Sequence, residues 1–403
     1  MKKDRRQSGP DAPAKPERAA EKKKASRRGK DSSPAARFRR IVRRVLAGAA
    51  VAVVTLCGAG DWFVHHPPEW MFEQEARLPK FVTGPLEWFG YRTGDVTDAL
   101  GWTGSDIVFE IDEFTDPDPE EPMFFAGAGA PRRRAAPAPD DIEVLKRDHF
   151  AVGWSPSLRR PAWVAYHVKP EAKYPDLPRE RPGFKIDRSA GSSPSSGDYT
   201  NSGYQRGHMA PNHAIASRYG RQEQEKTFLM SNIAPQKGDL NEGPWQNLEM
   251  RIADLWAERY GEIWVIVGAV PGSGRGKIGG KGKKAKKEGR GGVDVPEAFF
   301  QIIVARRQTE DEAAQTVKSE VRVLAVLMPQ TIARDAYYTR NIVSVKDLEA
   351  MTGLEFFPGL DGSISGRMAA DRASRLWPVG FKGVFRLIAA RFIRRGRSMM
   401  DRR

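Results

Sequence analysis

The 403-residue sequence contains a single cysteine, Cys57. That excludes an intrachain disulfide and any Cys-rich zinc module, and it says little about compartment. Aromatic residues make up only 9%, but hydrophobic residues reach 40%. That is enough for a sizeable core without covalent staples, so wholesale disorder and a collagen-like chain are also excluded. Long uncharged runs are scarce. Residues 45–60 carry no charge for sixteen positions, and the run reaches twenty at Val64 with Asp61 its one acid. Excess charge of one sign is missing from the body of the chain, although the net charge is +15. Residues 1–44 hold 17 Lys/Arg against 5 Asp/Glu (+12), residues 272–292 hold 8 against 1 (+7), and residues 386–403 hold 7 against 1 (+6). What remains is near −10, so bulk charge is poor evidence that the folded part binds a polyanion.

The Lys/Arg/Ala/Pro/Ser-rich residues 1–44 are expected to form a disordered basic tail, since they cannot bury enough apolar surface to offset ordering entropy. The apolar residues 45–64 follow Arg39, Arg40, Arg43 and Arg44 and admit three readings. They suit a signal anchor with its N-terminus in the cytoplasm, at the lower edge of spanning length. A cleaved signal peptide would use Gly58 and Gly60 as its small residues. The third reading is a buried helix. The anchor is the expectation adopted, giving a membrane-anchored protein whose later domain is periplasmic or extracellular, with secretion after cleavage the alternative.

Residues 65–141 read as a stem and a Pro/Ala-rich linker, and the regular domain is expected over 142–385, followed by a basic tail at 386–403. The stretch 380–398 is basic and amphipathic, suiting either an anionic membrane surface or a final helix over the core. β-Branched and aromatic runs predict strands at 150–154, 162–168, 262–270, 298–306 and 321–329, the first two as a hairpin. Trp245, Leu248, Ile252, Leu255, Trp256 and Tyr260 recur at spacings of three and four, which predicts a core-facing helix. A second helix is predicted at 345–353, and the Gly/Lys tract 272–292 is expected to be a surface loop. The fold class is α+β, a mainly antiparallel sheet with packed helices.

Two stretches carry chemistry. In the first, Gln205-Arg206-Gly207-His208-Met209-Ala210-Pro211, an extended backbone would put Arg206 and His208 on one face, with Gly207 admitting close approach. His213 lies five residues past His208, where a polar surface role is expected rather than metal binding. The second stretch begins 23 residues after His208 and contains Ser231, Asn232, Pro235, Gln236, Leu240, Asn241, Trp245, Leu248 and Glu249. Asn241 stands where an Asn commonly caps a helix.

Together the stretches resemble the DNA/RNA non-specific endonuclease family, a sugar-non-specific group with the ββα-metal fold. Its motifs are D-R-G-H-x-A-P and S-N-x-x-P-Q-x-x-x-L-N-x-x-x-W-x-x-L-E, with weaker similarity over roughly 145–360. The resemblance implies a Mg²⁺-dependent endonuclease, with Mn²⁺ a substitute, that cuts DNA and RNA through backbone contacts. His208 would be the general base, Asn241 the direct metal ligand and Arg206 the stabiliser of the pentacovalent phosphate. Glu249 would act through metal-bound water. Arg181 is the best match for an upstream catalytic arginine, with Arg179 its competitor, and Asn232 and Gln205 join Arg206 in substrate binding. Asn241 and Glu249 lie eight positions apart, roughly 12 Å along an ideal helix, which argues against both ligating directly. Gln205 departs from the family's Asp: it keeps hydrogen-bonding capacity and loses the charge.

The tract 272–292 suits an accessory phosphate clamp as well as a solvated loop. Expected partners are nucleic acid and, through residues 45–64, a membrane; a homodimer is an assembly open to such a chain. The alternatives to an enzyme are a nuclease-fold binding protein with weak or lost turnover, and a membrane-anchored interaction protein whose basic tail does the binding.

Overall fold

Large apolar residues alternate along four long strands, and that alternation organises the whole domain. The computed structural model describes residues 106–111, 116–174, 181–272, 276–280, 291–311, 316–336, 338–370 and 372–379. The chain divides into two units, Met1–Leu78 and Pro79–Arg403. The first unit, with the basic tail 1–44 and the apolar run 45–64, lies outside the described residues, as does 386–403. Among the described residues no helix is long and apolar enough to cross a membrane.

In chain order the strands are β1 (Ile107–Ile111), β2 (Arg132–Arg133), β3 (Glu143–Lys146), β4 (Phe150–Ser155), β5 (Arg160–Val168), β6 (Gln205–His208) and β7 (Ile233–Gln236). They continue with β8 (Glu262–Val270), β9 (Lys277–Ile278), β10 (Val293–Asp294), β11 (Ala298–Asp311), β12 (Thr316–Pro329), β13 (Ile342–Val343) and β14 (Leu354–Glu355). The main sheet runs β1-β12-β11-β8-β5-β4-β3, with β13 also on β12. Every described pairing in it is antiparallel. The helices are α1 (Asn212–Tyr219), α2 (Arg221–Thr227), α3 (Gln246–Arg251), α4 (Ala257–Tyr260), α5 (Val345–Thr352) and α6 (Gly362–Ala370).

Successive strand residues point to opposite faces, so the sheet carries a core on each side. On one side Val164, Tyr166, Val265, Val267, Phe299 and Ile303 meet Trp245, Leu248, Ile252 and Trp256. On the other, Trp163, Trp264, Ile266, Phe300 and Ile302 meet Phe124, Phe125, Leu348, Phe356 and Met368. The predicted helix face therefore packs as expected, but the helix is not regular. A single helical turn (Gly238–Leu240) leads into a π-helical segment (Asn241–Trp245), then α3, a second π-helical segment (Ile252–Trp256) and α4. α5 begins at the reciprocal Ser344/Asp347 cap and ends at Gly353, in the left-handed conformation.

The folded unit reaches back into the stretch read as stem and linker. β1 pairs with β12 from Ile107↔Val323 to Ile111↔Ser319, and Met123, Phe124 and Phe125 are buried against the sheet. At the other end, Trp377 is fully buried, 5.2 Å from Trp256 between ring centroids, and its carbonyl accepts the Trp256 indole N–H at 2.9 Å.

Candidate active site

The two sequence motifs meet as a short antiparallel pair separate from the main sheet. β6 and β7 align Gln205↔Gln236, Arg206↔Pro235, Gly207↔Ala234 and His208↔Ile233. Gly207 is required there: a Cβ would lie 2.0 Å from Gln236 Oε1, because the Gln236 side chain crosses the strand at that point. The close approach expected at Gly207 is thus made by the second motif.

One face of β6 carries Arg206 and His208, as the spacing predicts. Phe184 packs against both, 5.8 Å from the Arg206 guanidinium carbon and 5.5 Å from the His208 ring centroid. Phe228 closes on the His208 ring edge-on at 4.7 Å. Burial in this aromatic setting lowers the His208 pKa from 6.5 to about 4, and the nearby Arg181 charge pushes the same way. At neutral pH the imidazole is uncharged, and its buried Nε2 has no hydrogen-bond partner. Arg181 is exposed and close enough to act on His208, whereas Arg179 lies outside the described residues.

Arg206 is half-buried and aimed by its neighbours. Nε donates to the Ser196 carbonyl and hydroxyl (3.1 and 2.8 Å), and Nη2 to the Ser196 carbonyl and Thr200 Oγ1 (2.5 and 3.0 Å). Tyr199 also flanks the guanidinium, 5.8 Å from its carbon.

The other face presents Gln205, which belongs to a second group of side chains. Gln205 Oε1 accepts from Asn241 Nδ2 at 2.7 Å, and Gln205 Nε2 donates to Glu242 Oε1 at 2.6 Å. Arg334 Nη2 donates to the other Glu242 oxygen at 2.6 Å. Asn241 does not cap a helix N-terminus; it closes the Gly238–Leu240 turn from its C-terminal side. Its backbone is helical and its side chain is spent on Gln205 through nitrogen alone. The π-helical segment supplies the geometry. Pro244 restricts Gly243, whose backbone leaves the helical region (φ −110°, ψ −117°) directly after Asn241 and Glu242. Gly243 in turn abuts the Arg334 carbonyl, where a Cβ would come within 2.6 Å.

Asn232 does not fit the substrate role expected of it. It is fully buried. Its Oδ1 accepts the Ala210 N–H at 2.8 Å, and its Nδ2 donates to the Ala210 and Thr227 carbonyls at 3.0 and 2.9 Å. The amide is consumed in holding the turn after His208, with no donor left for a phosphate. Ser231 is similarly committed, to Asp187 at 2.5 Å. His213 pairs with Asp254 at 2.7 Å on the surface, the polar role expected.

Glu249, on α3, keeps partial exposure. Even so, desolvation raises its pKa from 4.5 to about 8, with the nearby Trp245 indole pushing the other way. Tyr166 lies on the sheet side, its hydroxyl buried without a partner and its pKa raised by burial and by Glu249. Sequence reasoning missed Phe184, Phe228, Tyr166, Glu242 and Arg334. Glu242 adjoins a motif residue, but Arg334 is 92 positions from it and nothing in the local pattern marks it.

The donor set fits a hard cation. Asn241 Oδ1 has no protein partner among the described residues, and Mg²⁺ needs few protein ligands because it keeps most of its water. No group of three or more His, Cys, Asp and Glu that could hold a metal is gathered among the described residues.

The strand pair thus carries an uncharged histidine and Arg206 on one face of β6 and the Gln205–Asn241–Glu242 group on the other. The sequence profile of the DNA/RNA non-specific endonuclease family matches residues 130–363, more than half of the chain, and the chain belongs to that family. Among its relatives, the mitochondrial nuclease EXOG of Mus musculus is 32% identical, with 55% of this chain and 58% of that protein covered. The mitochondrial endonuclease G of Homo sapiens is 28% identical, with 55% and 72% covered. The mitochondrial nuclease of Saccharomyces cerevisiae is 28% identical, with 53% and 65% covered. The alignment thus spans about three-fifths of the length of the EXOG relatives. A solved complex titled as endonuclease G with its inhibitor EndoGI superposes with a TM-score of 0.44 at 26% identity, over 54% of this chain and 86% of the other.

Proposed function

We propose that this protein is a divalent-metal-dependent endonuclease that hydrolyses phosphodiester bonds in DNA and RNA without sequence specificity. The observation that carries the reading is the placement of His208: an imidazole kept uncharged by burial, with Arg206 on the same face of β6 and the Arg181 charge near enough to act on it. A neutral imidazole can take a proton from an attacking water at physiological pH. The two guanidiniums offset the charge that grows on the phosphate, and Arg206 is held in place for this by Ser196 and Thr200. Asn241 would hold the cation through Oδ1; Mg²⁺ is the ion expected, with Mn²⁺ able to replace it. When bound, such an ion supplies Lewis-acid stabilisation of the leaving oxygen. Contacts of this kind go to the backbone rather than to base edges, so they carry no sequence information.

The test is cleavage of plasmid DNA and of RNA by the full chain with Mg²⁺ or EDTA, beside His208→Ala. We expect both substrates to be cut. The cleavage should vanish with EDTA and fall ~10²–10⁴-fold in the variant. Binding without cleavage by the folded protein would instead support a nucleic-acid-binding protein that has lost turnover.

A further inference from the structure

Gln205 and Asn241 face each other as two primary amides, and an amide pair can hydrogen-bond in either sense. Only one sense leaves the Asn241 oxygen free. If Gln205 presents its oxygen, Asn241 must answer with Nδ2, and Oδ1 turns away. If Gln205 presents its nitrogen, Asn241 Oδ1 is captured.

Two further residues decide between these arrangements. Glu242 as a carboxylate can only accept, and it sits 2.6 Å from Gln205 Nε2. Arg334 can only donate, and it holds the other Glu242 oxygen at 2.6 Å. Polarity therefore propagates without ambiguity: Arg334 donates to Glu242, Glu242 takes the Gln205 N–H, the Gln205 oxygen takes the Asn241 N–H, and Oδ1 is released. The anchoring is structural as well, since the Arg334 backbone lies against Gly243 in the same bend.

We propose that Glu242, clamped by Arg334, is a positioning residue that sets the direction of the Gln205–Asn241 hydrogen bond and so keeps Asn241 Oδ1 available to a divalent cation. It rests on the metal-dependent reading above. An aspartate at this position would accept from Asn241 whatever lay beside it; a glutamine needs a neighbour to orient it.

The informative variant is Glu242→Gln. Arg334 would still require an acceptor, so residue 242 would offer its oxygen to Arg334 and its N–H to Gln205. Gln205 would then turn its own N–H to Asn241 Oδ1, reversing the chain. Mn²⁺ alone, titrated into the full-length protein and followed by the EPR signal of the free ion, should bind at least fivefold more weakly to this variant. Adding Gln205→Asp should restore binding to within twofold of wild type, because a carboxylate there accepts from both sides. Arg334→Gln should have a smaller effect than Glu242→Gln, since it loosens the clamp without reversing it. The Glu242–Arg334 pair is exposed, and such pairs add little to stability, so all variants should unfold at the wild-type temperature.

Wild-type binding of Mn²⁺ by Glu242→Gln, or no recovery with Gln205→Asp, overturns the positioning role. If wild type cleaves in a cation-dependent way while Glu242→Gln binds Mn²⁺ unchanged, this inference fails and the nuclease reading stands. Failure of wild type both to bind Mn²⁺ and to cleave removes the two together.

Discussion

Replacing Glu249 by Gln should make the protein more stable, and the gain should grow with pH. Desolvation holds the Glu249 pKa at about 8, against 4.5 for the ordinary group. The folded chain therefore binds more protons than the unfolded one between these values. The stability tied to this group is fully present below about pH 4.5 and is lost as the pH rises through about 8. His208 works on the opposite side. Its folded pKa of about 4 lies below 6.5, so its contribution is complete above pH 6.5 and lost as the pH falls through about 4.

A comparison from pH 6.5 to 9 therefore isolates Glu249. Between pH 6.5 and about 8 each pH unit is worth ~1.4 kcal/mol, giving a ceiling of about 2 kcal/mol, and residual exposure of the residue reduces this to about 1–2 kcal/mol. The measurement is urea unfolding of wild type and Glu249→Gln in EDTA at several pH values. Wild type should lose that much stability across the window and then level off, while the variant stays flat. Mg²⁺ should flatten the wild-type curve, because a nearby cation favours the ionised carboxyl, and should leave the variant unchanged. Parallel curves in EDTA would refute the reasoning. A variant that gains stability and loses cleavage would mark Glu249 as a carboxyl kept under strain for function.

Other expectations follow from the same geometry. Asn232→Ala strands two buried carbonyls and one N–H, at ~1–3 kcal/mol for each unsatisfied group, and should lower the thermal midpoint by roughly 10 °C. The salt dependence of substrate binding should not change, and weaker binding without lost stability would return Asn232 to the substrate site. β9 and β10 bracket the basic residues 281–290, and Ile278 and Val293 on them pack with Tyr199, which flanks Arg206. Replacing 281–290 by a short Gly linker in a His208→Ala background should reduce the slope of log K against log salt by ~0.9 for each duplex phosphate that the tract neutralises. An unchanged slope would show that the tract is solvated and touches no backbone phosphate.

The strands were legible because β-branched and aromatic runs suit a sheet buried on both faces, and the helix because Trp245, Leu248, Ile252 and Trp256 keep a helical spacing. The motif residues gave the β6 face and the close approach at Gly207. The rest depended on tertiary neighbours that no local pattern encodes. Phe124 and Phe125 sit in Pro- and acid-rich surroundings that read as linker, yet the second apolar face of the sheet gives them a place to bury. The buried position of Asn232 and the arrival of Arg334 from beyond β12 are likewise set by tertiary packing. The helix over 245–260 looked regular because its spacing survives the two π-helical segments, which only the backbone reveals.

The glutamine at position 205 is better weighed in terms of hydrogen-bond direction than of charge. If the site needed negative charge at that point, Gln205 would be a loss and the adjacent carboxylate incidental. The Gln205 side chain is instead engaged at both ends, oxygen toward Asn241 and nitrogen toward Glu242. What the Asn241 amide requires from its neighbour is an acceptor, and a neutral oxygen meets that need as well as an anionic one. The cost of using Gln is ambiguity of direction, and a fixed carboxylate next to Asn241 removes it. A residue that looks like the weak point of the motif is thereby consistent with a working site, provided that residue 242 accepts and residue 334 donates.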